Sequence, residues 1–384
     1  MRLTGDRNGA RRILMVAGEA SGDLHGADLA REILARAPAC ELFGIAGERM
    51  RTAGVRALVN AEEIAGLGVV ELASTIGRTL GAMRTLRRLV KREPPDLAIL
   101  IDFAEFNLIF ARRLQRAGVP VLYYIVPQVW AWRRGRIAKL VRRADRLAVV
   151  FPFEEQVYAA GGERVTFVGH PLLDLARPAA DRATTLRRHG FPPDARLLAI
   201  MPGSRRGEVL HLLPPMAAAA RILARKHGLV PVVLLAPTLT AADLHAVAGA
   251  TLSAMRIIAE DSYSIIAASE LALVTSGTAT METALLGCPM VIAYKMSPLS
   301  YGVARALVRG VGFIGMPNIL AGRAIVPELI QREVTAENLA HAAAPLLAEP
   351  RRAETIAALA TIRSQLGAPG AAARVAEIAL GMIA

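Results

Sequence analysis

Short apolar runs closed by Gly, Pro or a polar residue recur along the chain, separated by longer stretches of helical period. In the first half they are ILMVAG (13–18), LFGIAG (42–47), LAILID (97–102), VLYYIV (121–126), LAVVF (147–151) and VTFVG (165–169). Runs this short, without polar alternation, read as strands covered on both faces in a parallel sheet. Helical segments fill the intervals, among them one from about His25 to Ala37 and one over 104–117. A second series follows Pro178: LLAIMPG (197–203), VPVVLLA (230–236), MRIIA (255–259), LALVTSG (271–277) and PMVIAY (289–294). GHPLLDLARPAADR (169–182) separates the two series as a hinge, and 335–384 reads as Ala-rich helix without a strand. Alternating strand and helix predicts an α/β protein with two tandem Rossmann-like, doubly wound parallel-sheet domains facing a cleft. The expected domains are 1–172 and 173–350, with C-terminal helices 351–384 that either pack back on the first domain or exchange between subunits.

Composition narrows this. A length of 384 residues exceeds one ordinary core, and 53% hydrophobic residues exclude disorder. No stretch reaches the roughly 18–20 apolar residues needed to cross a bilayer. The longest candidates are broken by Pro120, Pro127, Pro231 and Pro237. ILMVAG is too short for a signal sequence, so the expected location is the cytoplasm. Cys40 and Cys288 have no metal-ligand spacing, and Cys288 reads as a small buried hydrophobe. The net charge of +13 calls for an anionic partner: nucleic acid, a membrane surface or phosphorylated substrates.

Three loops join a strand end to a helix start, where free N–H groups and the helix dipole favour anions. GEASGD (18–23) has Gly18 and Gly22 for close backbone approach. PGSRRGE (202–208) carries Ser204 and Arg205 at its tip. TSGTATME (275–282) offers Ser276, Gly277 and Thr278 to a diphosphate, with Glu282 placed to accept ribose hydroxyls. Any one of these is also an ordinary N-cap. The dinucleotide fingerprint and the Gly-Lys-Ser/Thr phosphate loop are both absent, which disfavours a nicotinamide enzyme or a kinase. No Asp-x-Asp occurs, so Arg205 and helix N-termini rather than a metal are expected to carry the diphosphate charge.

In the first half Asp102 ends a strand, with Glu105 and Asn107 following. Asp102 suits a general base for a sugar hydroxyl, or merely caps the next helix. Glu19 and Asp23 share the neighbouring rim, while His25 and His170 read equally well as structural. Trp130 and Trp132 precede the basic run Arg133–Arg143, which marks an acceptor site, a membrane edge or a solvated helix face. Over 62–92 the apolar Leu67, Val69, Val70, Leu72, Ile76, Leu80 and Met83 give way to Arg84, Arg87, Arg88, Lys91 and Arg92. That pattern fits either contact with anionic lipid or a core helix with a charged outer face. Aromatic residues do not interleave with the cations, so nucleic acid is not expected.

With these residues in view, the chain resembles the lipid-A-disaccharide synthase family, glycosyltransferases of the GT-B fold. The resemblance rests on GEASGD, GIAGERM (44–50), LIDFAEFN, VPQVWAWR (126–133), FVGHPLLD (167–174), PGSRRGE, SGTATME and MPNILAGR (316–323). It implies transfer of 2,3-diacylglucosamine from UDP to the 6-hydroxyl of 2,3-diacylglucosamine 1-phosphate, with inversion, at the inner face of a cytoplasmic membrane. Neither cofactor nor metal is implied; anionic phospholipids are implied as peripheral partners, and a homodimer is left open. Arg205, Ser204, Ser276, Gly277, Thr278, Glu282 and Asn318 would line the UDP side. Ser21, Gly22 and Asn107 would lie on the acceptor side, with Asp102 as base and Glu19 and Asp23 beside it. The family pattern has proline and aspartate where this chain has Ala104 and Glu105, so Glu105 is not placed among the catalytic residues. Two enzymes that would share the fold remain as rivals, a UDP-sugar 2-epimerase and a polyprenyl-acceptor glycosyltransferase. A non-catalytic basic membrane protein would not need the three loops.

Overall fold

The structure is a computed structural model; it describes residues 11–64, 72–132, 134–253, 255–296 and 312–384, with backbone alone for 72–76, 131, 132 and 134. The chain forms two compact units, 1–171 with 366–384, and 172–365.

The first unit is built on seven strands: β1 (Arg12–Ala17), β2 (Glu41–Ala46), β3 (Arg56–Asn60), β4 (Leu97–Ile101), β5 (Val121–Tyr124), β6 (Arg146–Val149) and β7 (Val165–Phe167). They pair in the order β3-β2-β1-β4-β5-β6-β7, every pair parallel. Residues 13–17 and 97–101 have no exposed surface, so the two central strands are covered on both faces, as their unbroken apolar runs require. The last helix, Ala371–Gly381, returns to this unit and packs on the Ala20–Arg36 helix. Small buried residues, Ala376 and Ala379 beside Val375, line its packed face. Arg374 fastens the segment by donating to the carbonyl of Val168 over 2.9 Å.

The second unit repeats the plan with β8 (Arg196–Met201), β9 (Leu229–Leu234), β10 (Arg256–Ile258), β11 (Ser269–Thr275), β12 (Met290–Tyr294) and β13 (Glu328–Ile330). Their order is β10-β9-β8-β11-β12-β13, again all parallel. In each sheet the order reverses beside the first strand, between β1 and β4 and between β8 and β11. Crevices at such reversals, outside the strands' carboxyl ends, are where open α/β sheets bind ligands.

Strands β3 and β13 have no counterpart among the apolar runs read from the sequence. Both are edge strands with half-buried residues, so neither needs the fully apolar run of a central strand. Of the residues expected to touch membrane, Leu67, Val69 and Val70 lie outside the described residues, as do the side chains of Leu72 and Ile76. Leu80 is exposed on the Leu72–Arg92 helix. Further along that helix Ala82, Met83, Leu86 and Val90 pack into the core while Arg84, Arg87, Arg88, Lys91 and Arg92 face outward. This half is a core-packed helix with a basic outer face.

Candidate active site

At the β1/β4 reversal two strand-to-helix loops meet. A Cβ on Gly18 would lie 2.4 Å from the Phe103 ring, so only glycine lets the loop after β1 pass the loop after β4. Gly22 brings the Ala20–Arg36 helix down on the sheet, its Cβ position 3.7 Å from the Ile101 carbonyl oxygen. Glu19 is the residue before that helix, in extended conformation and half-buried, with Ser21 half-buried as its second residue. Asp102 and Phe103 both take left-handed angles, φ 46° and 45°, which turn the chain sharply out of β4.

That turn is held from beneath. Asn107 is fully buried, and its side-chain amide donates to the carbonyls of Asp102 (2.9 Å) and Ile101 (3.2 Å). The Tyr123 hydroxyl donates to the same Asp102 carbonyl over 2.8 Å, and burial pushes this phenol well above its ordinary pKa. Asn107, expected on the acceptor side, thus grips main chain under Asp102 through its amide. Asp23 differs in the same way from its expected place beside the base. Its carboxylate is buried and accepts from the backbone N–H of Arg49 (3.0 Å) and Met50 (3.1 Å), capping the short helix Glu48–Thr52. Gly47 permits this, since a Cβ there would meet the Asp23 carboxylate at 2.4 Å. Of the expected reaction-side residues, the structure leaves Asp102, Glu19 and Ser21 partly accessible around the crevice. Glu105 is exposed and paired with Arg136.

His25 and His170 are both buried, and burial drops their pKa values to about 4 and about 3. Both are therefore neutral imidazoles at neutral pH; His170 packs against Phe151 with ring centroids 5.1 Å apart. The Trp130 indole donates to Glu154 over 3.0 Å. That carboxylate has no exposed surface, also accepts from the N–H groups of Val150 and Phe151, and is pushed up to about 7 by burial. Trp130 is thereby anchored to the protein interior through its polar edge.

At the β8/β11 reversal the register places Val274 opposite Met201, so the loops that follow, 202–205 and 276–278, lie side by side. Gly277 and Thr278 are exposed, and nothing lies within 4 Å of a Cβ built on Gly277. The first turn of the Thr278–Leu285 helix therefore opens onto free space. Ser276 donates its hydroxyl to the Ile314 carbonyl (3.0 Å), tying this loop to the segment before the Met316–Ala321 helix. Glu282, half-buried one turn in, accepts from the Tyr263 hydroxyl at 3.3 Å. Across the crevice Ser204 and Arg205 are exposed ahead of the Arg206–His227 helix. The Glu208 carboxylate accepts from the N–H groups of Ser204 (3.0 Å) and Arg205 (3.3 Å) and meets the Arg205 guanidinium at 3.4 Å.

Asn318, expected on the UDP side, is fully buried and saturated. Its oxygen accepts from the N–H groups of Ile325 and Val326, and its amide donates to the Val326 carbonyl and to Glu328. Glu328 in turn accepts from the N–H groups of Ile314 and Gly315. These two side chains build the loop that Ser276 binds and leave no polar atom of Asn318 for a ligand. Sequence reasoning assigned no role to Glu208, Glu328 or Tyr294. The Tyr294 phenol, at the end of β12, is raised by burial first; the nearby charge of Glu208 adds to this and Arg205 opposes it. Among the described residues no group of three or more His, Cys, Asp or Glu could hold a metal ion.

Solved structures share this architecture. UDP-GlcNAc 2-epimerase from Neisseria meningitidis, bound to UDP-GlcNAc, superposes with a TM-score of 0.65 at 13% identity, over 96% of this chain and 100% of that one. CalG4, the calicheamicin glycosyltransferase, gives 0.62 at 15% identity, over 97% and 98%. The two parallel doubly wound sheets are those of the GT-B fold. The family model described as lipid-A-disaccharide synthetase matches residues 13–380, and lipid-A-disaccharide synthase from Geobacter metallireducens is 45% identical over 375 residues, 97% of each chain. The chain belongs to the lipid-A-disaccharide synthase family. The epimerase likeness extends to the fold alone; the family match makes the protein a glycosyltransferase and favours the disaccharide synthase over either rival reading.

Proposed function

We propose that this enzyme joins UDP-2,3-diacylglucosamine to 2,3-diacylglucosamine 1-phosphate, giving the β-1′,6-linked disaccharide 1-phosphate and UDP. The open amide loop Ser276–Thr278 beside Arg205, at the sheet reversal of the second unit, carries this reading. Two adjacent helix starts and a guanidinium suit a diphosphate leaving group, whose developing charge fixed donors stabilise. Glu282 is suited to the ribose hydroxyls, while Ser276 and Asn318 act by holding the loops. In the first unit Asp102 takes the proton of the attacking 6-hydroxyl, with Glu19, Ser21 and Gly22 shaping the rim. Asn107 and Tyr123 keep Asp102 in place.

A peripheral membrane location fits the charge distribution. The Leu72–Arg92, Ala104–Arg116 and Ile137–Arg143 helices are neighbours. They expose Arg87, Arg88, Arg112, Arg116, Lys139 and Arg142, and also the apolar Leu80 and Ile109. Anionic lipid headgroups are the natural complement. No described helix is long and apolar enough to cross a membrane. The deciding assay supplies both diacylated substrates and follows UDP release and disaccharide together. UDP formed without disaccharide, or epimerised sugar from UDP-N-acetylglucosamine, would sink this reading.

A further inference from the structure

Glu208 is a negative charge set inside the loop that the foregoing reading assigns to a diphosphate. The loop is moulded around it. Gly203 takes φ 120°, and a Cβ there would meet the Glu208 Cβ at 2.6 Å, so the chain passes the carboxylate only as glycine. Both carboxylate oxygens are engaged: one by the N–H groups of Ser204 and Arg205, the other by the Arg205 guanidinium. These are the donors a diphosphate would recruit, at a helix start and on a flexible cation. The side chain is about one quarter exposed, so its charge is only partly screened by water.

We propose that Glu208 is a positioning residue and resident anion of the nucleotide site: it holds Arg205 in place before the donor binds and weakens the hold on UDP. The proposal rests on the assignment of UDP to this crevice. A bound diphosphate must share Arg205 with a carboxylate and sit near that like charge. Glu208 therefore trades affinity for release of the product nucleotide. A merely structural N-terminal cap has the opposite signature, since its loss loosens the loop and lowers affinity.

The test measures UDP binding calorimetrically to the full chain, alongside melting temperature. Glu208→Gln keeps an oxygen acceptor for the two N–H groups and removes the charge. It is expected to bind UDP about tenfold tighter than wild type, as one like charge removed at close range implies. UDP inhibition of turnover should rise in parallel, and Arg205→Met should weaken UDP binding. Glu208→Asp, which keeps the charge, should lack the tightening and guards against a folding effect of the glutamine. Unchanged or weaker UDP binding by Glu208→Gln, with Arg205→Met weakened, overturns the role of Glu208. UDP binding indifferent to Arg205→Met overturns the assignment of UDP to the crevice, and this inference with it.

Discussion

Asp102 and Phe103 occupy left-handed backbone angles side by side, a conformation costing on the order of 1–3 kcal/mol per non-glycine residue. The cost is met by contacts the two residues do not make with each other: Asn107 and Tyr123 below, and the bare Cα of Gly18 beside the Phe103 ring. A carboxylate held this way suits proton abstraction, because its backbone has nowhere else to settle. Asp102→Asn should lower kcat by about 10²–10⁴-fold while UDP affinity stays near wild type. Normal turnover by that variant would move the base to Glu19. His25 supports a second residue-scale prediction. Its pKa falls from 6.5 to about 4 on folding, so its contribution is present above pH 6.5 and is lost as pH drops towards 4. Glu154, raised from 4.5 to about 7, acts in the opposite sense, gaining stability as pH falls through that window. His25→Leu removes the first effect and leaves the second. Denaturant titrations of variant and wild type between about pH 7 and 4.5 should diverge towards a limit of about 3 kcal/mol, the variant losing less. Parallel curves would show that His25 is not neutral in the fold. The position of Asp102 at a strand end was legible in the sequence. The work of Asp23, Asn107 and Asn318 was not, because it depends on how the chain folds back on itself: Asp23 reaches the N–H groups of Arg49 and Met50, Asn107 reaches under the turn at Asp102, and Asn318 reaches Val326 and Glu328. Polar residues in loop motifs look alike whether they hold a ligand or the loop.

Elements were read from apolar runs, and the central strands obey that signal because both of their faces are covered. Edge strands β3 and β13 escape it. The C-terminal helices are visible as Ala-rich segments, but nothing local says that 371–381 belongs with residues near the start of the chain. Its small buried residues fit the Ala20–Arg36 helix at close range, and Arg374 and the 366–370 segment wrap Gly169, whose Cβ position is 2.8 Å from the Ala368 carbonyl oxygen. The helix that starts at Ala20 also carries the Glu19–Gly22 rim at its head. Removing 366–384 should therefore destabilise the first unit by several kcal/mol, given the apolar area uncovered along one helix, and leave the second unit intact. Two separable thermal transitions are expected in the truncated protein, only the lower one shifted from wild type. A single transition at the wild-type temperature would mean the terminal helix contributes nothing.

At the scale of the whole molecule, strand order brings distant motifs to two sheet reversals: GEASGD beside the loop of Asp102, and PGSRRGE beside TSGTATME. The motifs were legible one at a time; their pairing depends on long-range sheet order, which no local pattern encodes. The charge of +13 was equally plain in the sequence, and its placement was not. Three neighbouring helices on the first unit present exposed arginines and lysines, and on the Leu72–Arg92 helix the buried face alternates with them at helical spacing. A solvated face of this kind can be neutral in its consequences, or it can dock on anionic lipid, and the two differ in salt dependence. Each cation near a charged surface contributes about 1 kcal/mol, and that attraction is screened within about 10 Å at 0.1 M salt. Replacing Arg87, Arg88 and Arg112 together by Gln should then cost about 3 kcal/mol, a loss of roughly a hundredfold in partitioning to vesicles containing phosphatidylglycerol. Binding of the wild type to those vesicles should fall steeply as salt is raised, and zwitterionic phosphatidylcholine vesicles, which carry no net charge, should bind both proteins alike. Because these arginines lie outside both crevices, turnover of detergent-dispersed substrates should be unaffected. Wild-type partitioning by the triple variant would assign the membrane contact elsewhere and reduce the basic face to a means of solubility.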